Sequence, residues 1–152
     1  MLDFKSLSSN QRFFLNVLVP LLYLLPLVVA YLGPKNFGFG IRGVVYAGLT
    51  LGAVGVLLWI AAMWSIGSSL AVLPGTDKLV TNGLYRIFRH PVYIGIVLTL
   101  TGLFMACGSV PSLIYVLVVV IPLNIFRAKA EEKVLLEQIG PAYQQYKDST
   151  FF

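Results

Sequence analysis

The sole histidine of the 152-residue chain, His90, stands in a dense polar run: Tyr85, Arg86, Arg89, His90, Pro91 and Tyr93 fall within nine positions. Proline suits the first position of a helix, where its missing N–H would have had no partner, so Arg89-His90-Pro91 predicts a helix start. The free N–H groups of that first turn, together with the helix dipole, form an anion site that Arg86 and Arg89 reinforce. Tyr85 and Tyr93 flank it with aromatic faces able to stack on a base or attract a cation. Arg127 and Glu131, spaced i, i+4, lie on one face of a helix, where a guanidinium and a carboxylate could hold a zwitterionic ligand. Taken singly, each residue has a plainer reading. The arginines would be topology anchors, the tyrosines an interfacial belt and His90 a helix cap. Glu132, Lys133 and Glu137 would be the solvated face of an amphipathic helix. The joint density of these residues favours a site.

The elements that must position them are hydrophobic. Apolar residues make up 58% of the chain and charged ones 11%, with mean hydropathy +0.86. A globular domain in water carries about a quarter charged residues. This composition argues against a water-soluble fold and against intrinsic disorder, and a single cysteine cannot form an intramolecular disulfide. The formal charge of +5 comes from cations set between apolar blocks, a pattern of membrane topology and not of nucleic-acid binding.

Between Arg12 and Lys35 lie 22 residues without a charge. About 20 helical residues cross the hydrocarbon core, so Phe13 to Gly33 (13–33) predicts a first span, too long for a signal-peptide core. Val44 to about Ser69 (44–69) predicts a second, in which Gly48, Gly52 and Gly55 permit close helix contact. The uncharged stretch Pro91 to Phe126 would make about 54 Å of helix, nearly twice a bilayer, so it must fold back. Gly108-Ser109-Val110-Pro111 supplies the break, giving spans 91–107 and 111–126 as a tight helical hairpin. Pro20, Pro26 and Pro122 each remove a backbone hydrogen bond and predict local bends.

The expected fold is therefore all-α and integral to the membrane: four transmembrane helices, the last two a hairpin, with a C-terminal helix outside the bilayer. With four spans both termini share one side. That side carries nine cations, from Lys5 and Arg12 through Lys78, Arg86 and Arg89 to Arg127, Lys129, Lys133 and Lys147, against Lys35 and Arg42 on the other. The positive-inside rule predicts a multi-pass protein with cytoplasmic N- and C-termini. Residues 1–152 read as a single domain, since too few follow the last span for a second core. The hairpin should bring Thr81 to Gly95 beside Arg127 to Tyr146.

Four blocks within those segments carry a resemblance: Leu79-Val80-Thr81-Asn82-Gly83-Leu84-Tyr85, Arg89-His90-Pro91-Val92-Tyr93-Ile94-Gly95, Arg127-Ala128-Lys129-Ala130-Glu131-Glu132 and Gly140-Pro141-Ala142-Tyr143-Gln144-Gln145-Tyr146. In order and spacing they closely resemble the isoprenylcysteine carboxyl methyltransferase family, over roughly residues 75–148. The resemblance implies an integral-membrane enzyme using S-adenosyl-L-methionine, unlike the Rossmann-type methyltransferases whose Gly-rich fingerprint the sequence lacks. Its implied cofactor region is 77–95 and 127–146. The implied cofactor contacts are Asp77, Lys78, Leu79 and Val80, then Tyr85, then His90, Pro91, Val92 and Tyr93, and finally Glu131. Arg127 would face the methyl acceptor, and no metal is expected. The chain is shorter than many members and has two glutamates in place of a longer acidic run. Phospholipid N-methyltransferases and membrane thiol methyltransferases share the same elements, so the acceptor is less specified than the cofactor.

Methyl transfer from a sulfonium is an in-line displacement, so the protein must align three atoms and exclude water. A carboxylate acceptor is already ionised at neutral pH and needs no general base; Arg127, helped by Arg89, would orient it. An amine or thiol would have to lose a proton, to His90 or Glu131. A lipid-bearing acceptor could enter sideways from the bilayer. Gly95, Thr99 and Gly102 thin one face of the third span, for close helix packing or a lipid groove. Cys107 reads as a small packing residue. Two other classes remain: a sterol-type membrane reductase with a nicotinamide cofactor, and a non-enzymatic small membrane subunit or haem-binding protein using His90. One histidine excludes a bis-histidine haem site within a single chain.

Overall fold

Proline and glycine divide the chain into helices at the expected places. The computed structural model describes residues 9–36, 38, 41–66 and 79–152. Among them are six α-helices: α1 (Ser9–Leu32), α2 (Arg42–Ile66), α3 (Pro91–Cys107), α4 (Val110–Tyr115), α5 (Ile121–Ile139) and α6 (Pro141–Ser149). A 3-10 turn, Gly83–Arg86, precedes α3, and a π-helical stretch, Val116–Val120, joins α4 to α5. The architecture is all-α. Its extended pairing among the described residues is an isolated bridge between Phe88 and Phe151.

The helix α3 is packed on two sides. Against α2 it presents Gly95 and Gly102, and α2 answers with Gly48, Gly52 and Gly55. A Cβ added to Gly102 would lie 2.2 Å from the Gly52 nitrogen and 2.5 Å from the Gly48 oxygen, so backbone touches backbone along this seam. The small residues of α3 therefore serve helix packing, the first of the two roles expected for them. On its other side α3 places Leu100 and Phe104 in a core with Ala30 of α1 and Val116 and Val120.

The break after α3 follows from Gly108, whose φ of 69° puts it in the left-handed region that glycine enters without steric cost. The Gly108 amide donates to the Met105 carbonyl at 3.1 Å and the Ser109 amide to that of Phe104 at 3.0 Å, closing the helix end with the paired bonds of a Schellman motif. Proline inside α1 creates a different need. Pro26 has no N–H, which leaves the Leu22 carbonyl unpaired within the helix; the Tyr115 hydroxyl donates to it at 3.2 Å. One turn on, Ser112 donates to the Pro26 carbonyl at 2.9 Å. Pro122 is accommodated by the π-helical stretch just before it, which widens the turn that its ring would otherwise crowd.

Two helical stretches are long and apolar enough to cross a membrane, Arg42–Ile66 and the continuous run Val110–Ile139. The apolar helices Val17–Leu32 and Pro91–Cys107 are shorter. Their outward residues are large and apolar, Trp64 being 86% exposed and Leu117 65%, as suits contact with lipid and not water. One expectation needs correction: Cys107 is exposed where α3 ends and packs no core. Beyond Phe126 the helix continues through Arg127 and Glu131 to Ile139, and Gly140 and Pro141 divide it from the C-terminal helix α6. The last three residues of the expected second span, 67–69, lie outside the described residues.

Candidate active site

His90 occupies the position before the first turn of α3, with Pro91 as the first helical residue. Its backbone carbonyl accepts from the Tyr93 and Ile94 amides at 3.1 and 3.2 Å, but its ring caps nothing. The ring turns instead to α5: Nδ1 lies 3.7 Å from a Glu131 oxygen and Nε2 3.4 Å from one of Glu132. It is buried, 6% exposed, with Tyr93 stacked at 5.6 Å and Phe152 tilted at 5.5 Å. Burial pushes the imidazole below its ordinary pKa, and the Glu132 carboxylate only partly restores it. At neutral pH His90 is therefore uncharged and carries a single ring N–H, which on Nε2 donates to Glu132, while Nδ1 only approaches Glu131 without a hydrogen bond.

Tyr93 lies one turn into α3 and holds two opposite charges apart. Its hydroxyl donates to Glu131, and the Arg127 guanidinium sits over its ring, 5.5 Å from the centroid. Arg127 and Glu131, i and i+4 on α5, form no ion pair with each other. Burial drives the Glu131 carboxyl above the ordinary carboxylate range, opposed by the Tyr93 hydroxyl and Arg127. The result is a carboxylate and a guanidinium on one helix face with an aromatic ring between them.

Glu132 is a different case, and the reading of it as a solvated residue is corrected. Its side chain is 14% exposed; it accepts from Arg89 Nε at 2.9 Å and from Lys147 Nζ at 2.8 Å. Burial works to raise its pKa, but Lys147 and Arg89 outweigh that and hold it below the ordinary range. The Arg89 guanidinium also donates to the Lys147 and Thr150 carbonyls, at 2.9 and 2.6 Å. In this arrangement Arg89 fastens the end of α6 to the start of α3. Lys133 and Glu137, by contrast, form the exposed pair expected, at 3.4 Å.

The 3-10 turn completes the corner. The Tyr85 carbonyl accepts from the Tyr146 hydroxyl of α6 at 2.7 Å, and the Tyr85 ring is half-buried, its phenol pKa raised by burial. Burial also pushes Tyr146 up to about 12. Leu79 and Val80 lead into the turn, half-buried; Pro91 is buried and Val92 partly so. Arg86 is exposed. Asp77 and Lys78 lie outside the described residues. The two segments that were expected to be neighbours do meet, through His90, Tyr93, Arg127, Glu131 and Glu132. The contributions of Glu132, Lys147 and Tyr146 to this corner escaped sequence reasoning. The doubled glutamate was visible, but which of the pair turns inward depends on packing.

With that geometry in view, the likenesses to known proteins fall into place. The sequence profile described as phospholipid methyltransferase matches residues 44–142, a stretch that contains α2 from Val44 onward, α3, α5 and every contact between α3 and α5 given above. Protein-S-isoprenylcysteine O-methyltransferase of Schizosaccharomyces pombe is 30% identical over 110 residues, 68% of this chain and 47% of that protein. The human protein of the same name is 33% identical over 108 residues, 66% of this chain and 37% of its own length. Protein-S-isoprenylcysteine O-methyltransferase A of Arabidopsis thaliana is 30% identical over 150 residues, 95% of this chain and 74% of that one. The chain thus spans about half the length, or less, of the fission-yeast and human relatives. No solved structure matches it significantly. Residues 44–142 and the near full-length likeness to the plant protein place the chain in the phospholipid methyltransferase family, among its isoprenylcysteine carboxyl methyltransferase-like members.

Proposed function

We propose that this chain is a multi-pass membrane methyltransferase that uses S-adenosyl-L-methionine to methylate a carboxylate on a lipid-bearing, isoprenylcysteine-like acceptor. The observation that carries the reading is Tyr93, with its hydroxyl on Glu131 and its ring beneath Arg127. In this reading residues 1–152 form one domain of four spans, α3 and the helix after Gly108 make the hairpin, and both termini are cytoplasmic. The apolar outer faces and the distribution of cations support that topology.

The residues fit the cofactor. Glu131 offers a partly buried carboxylate to an ammonium, and Tyr85 and Tyr93 offer aromatic faces. His90, Pro91 and Val92 line the first turn of α3, with Leu79 and Val80 leading to it and Asp77 and Lys78 just before. When bound, S-adenosyl-L-methionine supplies an electrophilic methyl group. Arg127 then orients an acceptor carboxylate by charge and hydrogen bonding, with the carboxylate already ionised. His90, neutral and buried, accepts no proton in this scheme; it helps to hold Glu132 in place. Arg89 is proposed as a helper of Arg127 in orienting the acceptor, and it also holds the α6 segment across the corner. The name of the matched family supports a second reading, a phospholipid amine acceptor, for which His90 or Glu131 would take the proton.

Calorimetry with S-adenosylhomocysteine on the full chain in lipid nanodiscs, followed by methyl transfer from labelled cofactor to S-farnesyl cysteine and to phosphatidylethanolamine, tests this. Micromolar binding and label on the farnesyl cysteine are expected. Glu131→Ala should weaken binding at least a hundredfold, whereas Arg127→Ala should leave binding within threefold and remove turnover. Normal methylation by both variants would overturn the roles, and label on the phospholipid alone would select the second reading.

A further inference from the structure

Asn124 lies on the face of α5 that carries Arg127, Ala128 and Glu131, spaced i, i+3, i+4 and i+7. It is 2% exposed, and its amide is only half satisfied: Oδ1 accepts from the Tyr23 hydroxyl of α1, while Nδ2 has no partner among the described residues. Exchanging the amide nitrogen and oxygen leaves one of them orphaned all the same, because Tyr23 meets only one end. A buried polar group is normally paired, and within a membrane-spanning segment an unpaired one marks a ligand path. The neighbouring charge decides which end faces the ligand. Arg127 lies at i+3 from Asn124 on the same face of α5, and its positive guanidinium favours an anion beside the amide N–H.

We propose that Asn124 Nδ2 is a second donor for the methyl acceptor, holding one oxygen of its oxyanion about one helical turn deeper in the membrane than Arg127. Tyr23 is a positioning residue that fixes the amide so that its N–H points to the ligand, and Arg127 supplies the charge. The subsite deepens, and rests on, the reading of the chain as a methyltransferase of a lipid-bearing carboxylate. A lipid phosphodiester beside an amine offers the same oxyanion chemistry. A donor-only pair rejects a bare ammonium at this position.

The test uses the full chain in nanodiscs saturated with S-adenosylhomocysteine. Binding of N-acetyl-S-farnesyl cysteine is compared with that of its carboxamide, for the wild type and for Asn124→Leu and Asn124→Asp. The wild type should prefer the carboxylate at least tenfold. Asn124→Leu should cut that preference at least fivefold, and Asn124→Asp should abolish it at neutral pH by like-charge repulsion, while carboxamide and S-adenosylhomocysteine affinities stay within threefold. Tyr23→Phe should give a smaller loss of the same preference. A merely structural amide would lower the melting temperature and leave the preference intact, and that result overturns the subsite while leaving methyl transfer by the wild type untouched. A wild type without the preference that also transfers no methyl to the carboxylate overturns the underlying reading and the carboxylate subsite with it. If Asn124→Leu weakens only phosphatidylethanolamine methylation, the oxyanion subsite stands with the phosphodiester as its source. Asn124→Asp, nearly isosteric, serves should the leucine variant fail to fold.

Discussion

The seam between α2 and α3 and the corner where α3, α5 and α6 meet hold helices together by opposite means. At the seam nothing is charged, and attraction comes from backbone atoms brought close by Gly48, Gly52, Gly55, Gly95 and Gly102. At the corner the helices are joined by a few long polar side chains, Arg89, His90, Tyr93, Glu131, Glu132 and Lys147. Dispersion across a glycine seam is collective and tolerates no added volume. A polar corner is assembled from separable bonds, each replaceable at a defined cost, and can exchange partners when a ligand arrives. The seam therefore fixes where α3 stands, and the corner is left free to do chemistry.

The sharpest way to break this contrast is at the seam. Gly102→Leu would drive its side chain into the backbone of Gly52 and Gly48, contacts that no rotamer relieves. We expect a loss of more than about 3 kcal/mol, read as absence of a folded peak in detergent size-exclusion chromatography. Next is the clamp: Arg89→Met removes one ion pair and two bonds to carbonyls, leaves Glu132 with Lys147 and the His90 ring, and should cost about 2 kcal/mol. Limited proteolysis should then cut within α6 before any other helix, whereas equal protection of α6 would deny Arg89 its fastening role.

A change of pH probes the corner without altering the seam. His90 is held below its ordinary value of 6.5 in the fold, so on acidification the unfolded chain takes up a proton that the folded chain resists. The associated stability is present above pH 6.5 and is lost as pH falls from there toward the folded pKa. Thermal melts between pH 7.5 and 5.5 should show this decline in the wild type and a flatter curve in His90→Gln; parallel curves would contradict a buried neutral ring. The smallest effect is expected at the rim. Tyr146→Phe removes one hydroxyl bond to the Tyr85 carbonyl and should cost about 1 kcal/mol, visible as faster amide exchange in the 3-10 turn alone.

How legible these regions are in sequence differs for the same physical reason. Charge-free runs between Arg12 and Lys35 and from Pro91 to Phe126 are readable because hydrophobic length is a one-dimensional quantity. Gly108 and Pro111 mark the helix break through backbone restrictions that each residue carries wherever it occurs. The candidate site was half legible. His90, Tyr93, Arg127 and Glu131 stood out by type and spacing. Glu132 passed for a surface residue, and Asn124 drew no notice among Val120, Ile121 and Ile125.

The sequence by itself determined the helical class, the apolar stretches, the breaks between helices and the family motif, since each depends on the order of residue types along the chain. The tertiary structure decided which partner each polar group meets: Glu131 with Tyr93, Glu132 with Arg89 and Lys147, Tyr115 with the carbonyl that Pro26 leaves free. Helix rotation and separation decide those pairings, and both are set by the glycine seam and the Phe104 core acting at a distance from the residues they orient.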